Sequence, residues 1–299
     1  LSSTNAKACF ITELYKKLLP DSCYPIIVKD PYAAFALSTN FLHPKLKSNN
    51  IINPQSNISK NCKLGNNVQI DVNVVIKENT EIGHNCILND NCVIGPNVKI
   101  GNDTIVYANS VILDANIGNN CLIKSGAIIG GKGFGFTPKN KIEVVHIGNV
   151  LIGDNVEVGS NTTIDKSALE STYIGNNTRI DNLVQIAHGV KIGNNSIIAA
   201  QCGISGSTII GENCIMGGQV GIAGHLKIGN NVKIAAKSGV TKDIKDNSTI
   251  AGFPATDIRL WKKSIINVSY TDTNKVVSKT LVSVKINNDH KCTLLNLVN

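Results

Sequence analysis

Two histidines of this 299-residue chain stand out by their surroundings, His188 in "QIAHGVKIG" and His225 in "VGIAGHLKIG". Each lies next to a glycine, which leaves space around the ring, and each interrupts text that otherwise repeats Ile-Gly-Asn. An imidazole titrating near neutrality suits a general base that takes a proton from an amine or hydroxyl, and it also suits a metal ligand. The other four histidines sit beside Pro44 (His43), at a corner or in a loop (His84, His146) and in the tail (His290), and read as ordinary surface residues.

Those side chains need a scaffold, and an internal period supplies it. Apolar residues fall every six positions from Ile52 through Ile58, Leu64 and Ile70 to Ile112, slip by one to Ile117, Ile123 and Ile129, and resume at Ile152, Val158 and Ile164. From Ile174 to Val240 the phase holds twelve times running. Helices would need apolar residues at i, i+3, i+4 and i+7, a spacing absent from 50–250. Each hexad instead predicts a short strand with its apolar residue inward and a corner built from Gly-Asn-Asn text, since Gly and Asn tolerate positive φ. With aromatics at 4% and an apolar fraction of 42%, the core must be stacked Ile, Val, Leu and Ala. Packed this way, the interior has no room for substrate, so a site must lie on an outer face, in a cleft between two such bodies.

Two stretches break the phase. "GGKGFGFTPKNKIEVVH" (130–146) should project as a loop and carries Phe134 and Phe136, two of six phenylalanines, between glycines; exposed aromatics of this kind touch ligands or neighbouring subunits. "DKSALESTY" (165–173) should form a shorter bulge at a corner. Residues 1–48 lack the repeat and read as a partial α/β domain, 49–255 as the repeat domain, and 256–299 as an extension opening with a helix over "ATDIRLWKKSIINVSY".

The nine cysteines are scattered without a CxxC pair, which argues against a zinc ribbon or redox pair and predicts reduced thiols in a cytoplasmic protein. No leader is visible, and no stretch approaches the roughly 18 apolar residues of a membrane span. The net charge of +8 is spread without arginine clusters or interleaved aromatics, so nucleic acid is not expected; an acidic protein or an anionic small molecule fits as well.

The hexads resemble the left-handed parallel β-helix of the hexapeptide acyltransferases. That resemblance implies an all-β fold with three hexads, 18 residues, per triangular coil. His188 and His225, 37 residues apart, then lie two coils apart on one edge, about 10 Å from each other. Gly206, in "ISGST", falls 18 residues after His188. A base and a backbone N–H beside it are what acyl transfer needs, one for the proton and one for the tetrahedral oxyanion.

A closer resemblance follows from "GKGFGF", "IGNVLIGDNVEVGSNTTIDKSAL", "TRIDNLVQIAHGVKIGNN", "GISGSTIIGENCIMGGQVGIAGHLKIG" and "AGFPATDIRLWKK", in that order. Over roughly 25–263 the chain resembles the UDP-3-O-(3-hydroxyacyl)glucosamine N-acyltransferases of lipid A biosynthesis, with "DNLVQIAH" and "AGFPA" the discriminating segments. The resemblance implies a homotrimer that moves an (R)-3-hydroxyacyl chain from acyl carrier protein to the 2-amine of a UDP-3-O-acylglucosamine. His188 would be the base, Gly206 the oxyanion donor, and His225, Asn182, Gln185, Phe134 and Phe136 substrate contacts. Lys242, Arg259, Lys262 and Lys263 would dock the acidic carrier protein. The acyl group arrives activated on phosphopantetheine, so no dissociable cofactor or metal is expected. The aromatics that grip uracil in this family lie upstream of its "AKACFITE"-like segment, where this chain begins, and the tail after about 265 departs from the family's terminal helices.

Three other readings compete. A γ-class carbonic anhydrase would need a third zinc histidine where Asn230 and Asn231 stand. A noncatalytic or decayed scaffold predicts that His188→Ala changes nothing. Another hexapeptide acyltransferase using acyl-CoA, such as an acetyl-CoA-dependent sugar N-acetyltransferase, keeps the chemistry and changes the substrate.

Overall fold

The computed structural model describes residues 1–269 and two paired antiparallel strands, Ser283–Ile286 and Cys292–Leu295; from 265 onward only the backbone course is described. His290 lies outside the described residues. The chain divides into two compact units, Leu1–Lys47 and Ser48–Asn299.

In the first unit, Ala8–Ile11 pairs in parallel with Tyr24–Ile27, and a 3₁₀ turn spans Glu13–Leu18. Helix α1, Pro31–Leu42, follows. Asp30 caps it, its carboxylate accepting from the Tyr32 and Ala33 N–H groups at 3.0 Å, and Pro31 takes the first turn, where its missing N–H costs nothing.

The second unit is a left-handed parallel β-helix. Two-residue strands stack in three sheets, one per face of a triangular prism. Lys63–Leu64 through Lys227–Ile228 form the first face and Gln69–Ile70 through Thr249–Ala251 the second. Asn57–Ile58 through Gly239–Val240 form the third. Partners across a sheet are 18 residues apart, as in Lys63↔Glu81 and Gln185↔Gly203, so a coil is three hexads. The register also explains the phase slips. Lys99 pairs with Asn116, a coil one residue short. Leu122↔Glu157 exceeds a coil by 17, the length of the projecting loop, and Thr163↔Gln185 exceeds it by four, the bulge after Asp165.

Within each strand the second residue points inward. Ile70, Ile76, Leu88, Ile94, Ile112, Ile164 and Ile186 are fully buried and stack face by face, Leu88 on Ile70 and Ile94 on Ile76. Each buried side chain contributes about 1.5–3 kcal/mol of transfer free energy. The corners turn through one residue at positive φ, and the sequence supplies Asn there at 67, 73, 79, 85, 91 and 97. These asparagines form ladders: Asn67 donates to Asn85 at 2.8 Å and Asn85 to Asp103 at 3.0 Å. Inward cysteines behave as small apolar residues. Burial pushes the thiols of Cys86, Cys92 and Cys121 up to about 11, and each donates to a carbonyl of the next coil at 3.1 Å.

Beyond the last coil, helix α2 (Ile258–Ser269) begins on Asp257, whose carboxylate accepts from the Arg259 N–H at 2.9 Å. The extension therefore opens with the expected helix, and the strand pair after it was not anticipated. No helix among the described residues is long and apolar enough to cross a membrane.

Candidate active site

The corner between the third and first faces carries the candidate chemistry. His188 occupies the first position of one turn, and Gly206 and Gly224 occupy the same position one and two coils on. The second position of these turns holds Gly189 (φ +68°), Ser207 (φ +59°) and His225 (φ +62°), so the expected single edge is what the fold produces. Backbone bonds tie the stack together: Ser207 N–H donates to His188 C=O at 2.9 Å and His225 N–H to Gly206 C=O at 3.0 Å.

The His188 ring lies against Gly206. A Cβ at that position would stand 2.6 Å from both Cε1 and Nε2 of the imidazole, so any larger residue there displaces the ring. The Gly206 N–H has no protein acceptor among the described residues and is free for a ligand. Burial, then the charges of His146 and His225, hold His188 below the usual histidine range, a shift toward the neutral imidazole that can accept a proton.

One residue read as ordinary surface belongs to this cluster. His146 is 4% exposed, and its ring meets the His188 ring edge-on at 5.0 Å between centroids and 64°. The loop that carries it folds back as a small hairpin: Val144 N–H donates to Gly135 C=O at 2.9 Å, Phe136 bridges Glu143, and Lys132 pairs with Glu143. The hexad period assigns no place to a loop outside it, which is why the burial of His146 was missed. The nearest sequence signal is the pair Gly133 and Gly135 in "GKGFGF": Cβ atoms there would come within 2.7 and 3.0 Å of the His146 ring.

Beside the corner, a groove of about 890 Å³ runs along the third face. Its floor is a glycine stripe, Gly203, Gly221 and Gly239, at the outward strand positions. A Cβ on Gly203 or Gly221 would meet nothing within 4 Å, whereas on Gly239 it would strike the Phe253 ring, which ends the groove. At the near end stand Gln185 and Asp165; the Gln185 amide donates to the Asp165 carboxylate at 2.8 Å, and burial pushes that carboxyl up. Phe134 and Phe136 pack edge-to-face at 5.3 Å on the loop side, 82% and 46% exposed.

The structure thus brings His188, Gly206, His225, Gln185, Phe134 and Phe136 to one edge and the adjoining face. Asn182 is not in that group. It sits at the opposite edge of the third face, where its side chain accepts from the Ser160 N–H at 2.7 Å. Lys242 is exposed just past the last strand of the third face, and Arg259, Lys262 and Lys263 are exposed on helix α2. Asn230 and Asn231 are engaged in inter-coil bonds to Asp246 and Asn247, and among the described residues no three His, Cys, Asp or Glu side chains converge on a common point.

Comparison with known proteins bears on this arrangement. The model of the bacterial transferase hexapeptide (six repeats) matches residues 79–114 and 171–206. A Legionella pneumophila protein named UDP-3-O-acylglucosamine N-acyltransferase 2 is 48% identical over 267 residues, 89% of this chain and 78% of its own length. The chain belongs to the UDP-3-O-acylglucosamine N-acyltransferase family. A Rhizobium meliloti member is 46% identical over 201 residues, covering 64% of this chain and 57% of its own length; the chain spans less than two thirds of that relative. A solved UDP-N-acetylglucosamine acyltransferase from Arabidopsis superposes with a TM-score of 0.58 at 21% identity, over 76% of this chain and 86% of that one, a likeness of fold.

Proposed function

We propose that the protein is an N-acyltransferase that moves a 3-hydroxyacyl chain from the phosphopantetheine thioester of acyl carrier protein to the 2-amine of a UDP-3-O-acylglucosamine, in lipid A biosynthesis. The observation that carries this is the His188 imidazole lying over an unpartnered Gly206 N–H at the head of a glycine-floored groove. In the reaction the amine nitrogen adds to the thioester carbonyl and His188 takes its proton. The Gly206 N–H donates to the oxyanion. The C–S bond then breaks and the thiolate leaves with the proton that His188 held. His225 and Gln185 border the reacting centre, and the groove receives the acyl chain.

A flat prism face makes half a cleft, and a homotrimer supplies the other half. Half-exposed Ile197 and Ile215 on the second face and Ile209 on the first stand where neighbouring coils carry Arg or Lys, which supports burial against a second copy. The Lys242, Arg259, Lys262 and Lys263 cations suit an acidic carrier protein. With that donor and acceptor, the proposed reaction belongs to the cytoplasm.

The test offers the protein UDP-3-O-acylglucosamine with 3-hydroxyacyl carrier proteins of several chain lengths and follows N-acylation by mass. Turnover that falls by about 10³-fold or more in His188→Ala supports the reading. No turnover with any donor, or full turnover by folded His188→Ala, overturns it.

A further inference from the structure

The geometry points to His146 as a positioning residue that clamps the base His188 against Gly206 and thereby couples the 130–146 loop to catalysis. The inference rests on the assignment of His188 as base. Three observations support it. The His146 ring is almost wholly buried, although it terminates a loop whose aromatic residues Phe134 and Phe136 are exposed. It meets the His188 ring edge-on, 5.0 Å between centroids, while Cε1 and Nε2 of that ring lie against Gly206. Gly133 leaves the slot that both rings fill, since a Cβ there would stand 2.7 Å from His146 Nε2 and 2.9 Å from His188 Cβ.

A side chain held on two sides keeps one rotamer, and a base held in one rotamer meets the attacking amine without a search. The loop cannot lift without removing one of those sides. Its own fastening is the Lys132–Glu143 pair and the bonds between Gly135 and Val144. His146 Nδ1 is buried and has no partner among the described residues. An imidazole in that state contributes packing, and among the described residues no hydrogen bond joins it to His188, which separates this role from that of a proton shuttle. The titratable groups facing the pair are Asp165 below the loop, His225 two coils along, and the Lys132–Glu143 pair on the loop itself. Burial first, then His146 and His225, oppose protonation of His188.

The experiment uses the full chain and three variants, His146→Ala, His146→Phe and His188→Ala, in the N-acylation assay and, free of substrate, in an NMR titration of the His188 ring. His146→Ala removes the clamp and is expected to lower kcat by about 10- to 100-fold with KM for the carrier-bound donor within about threefold. His146→Phe restores the ring edge without the charge. It is expected to recover most of that kcat and to move the His188 titration midpoint upward, since one of the charges opposing protonation is gone. His146→Ala with parental kcat, or His146→Phe with an unmoved midpoint, overturns the inference. The titration reads the closeness of His146 to His188 even if the parent protein shows no N-acylation, so loss of the functional assignment and loss of this inference give different results. A role confined to folding would lower the melting temperature in both His146 variants and leave kcat of the folded protein at the parental value.

Discussion

A single methyl group at Gly206 tests the site more sharply than removal of the base. In Gly206→Ala the new Cβ would stand 2.6 Å from Cε1 and Nε2 of His188, while ordinary contact begins near 3.4 Å. The imidazole must therefore retreat by about 0.8 Å. A misplacement of about 1 Å costs roughly 10²-fold in rate, equivalent to about 2.7 kcal/mol of barrier. The fold is spared because the methyl points away from the Ile core, and the group that must move is the end of a side chain rather than backbone. Steady-state N-acylation is thus expected to show kcat down by about two orders of magnitude and a melting temperature within about 2 °C of the parent. Gly224→Ala is the control. It lies at the same position one coil on, but its Cβ would only press the Gly206 carbonyl oxygen at 3.2 Å, and the expected loss is below about fivefold. A folded Gly206→Ala enzyme with kcat within threefold of the parent would refute the stacking of base over backbone donor.

Further expectations follow from other parts of the molecule. The His188 ring, followed by NMR in the substrate-free protein, should titrate below the ordinary value of 6.5, because burial and then the charges of His146 and His225 oppose its protonation; a midpoint at or above 6.5 contradicts the site electrostatics. Lys262→Glu combined with Lys263→Glu should raise KM for the carrier-bound donor about tenfold at low salt, with a smaller effect at 0.5 M salt and kcat unchanged; a salt-independent KM removes helix α2 as the docking element. Lys237 holds a corner at φ +60°, where Asn costs less, so Lys237→Asn should raise the melting temperature by about 2 °C in calorimetry; a decrease would mean that the corner conformation is not what sets the preference.

The repeat was legible because its physics is local and recurrent. Each inward Ile, each corner and each 18-residue pairing follows from one rule, and even corners without Asn, such as Leu183, Gln201 and Gln219, are fixed by their neighbours' phase. His188, Gly206 and His225 inherit their places from that rule. What lies outside the rule was legible only in part. The loop could be expected to project, but its return onto His188 depends on Lys132–Glu143 and on two glycines that make room for His146, contacts with no period to announce them. Asn182 shows the opposite difficulty. It is six residues from His188, close in the text and part of one recognisable segment, yet six residues is the width of a prism face, so the fold sets the two at opposite edges.

The groove gives a physical reason why the third face departs from the others. Outward strand positions ordinarily favour side chains that cover the pleat, and glycine there costs about 0.5–1 kcal/mol in backbone entropy. On the third face the outward series runs Ile128, Thr163 and Gln185 and then Gly203, Gly221 and Gly239, so the substitution begins one coil beyond His188 and persists until Phe253 closes the end. Packing does not demand it: Gly203 and Gly221 have open space where a Cβ would be. Three successive coils thus forgo side-chain cover on the face adjoining the base, while the first and second faces carry Lys and Ile at the matching positions. On the proposed function, the stability forgone is concentrated where an unbranched acyl chain would lie against backbone, its activated end beside His188 and its tail toward Phe253.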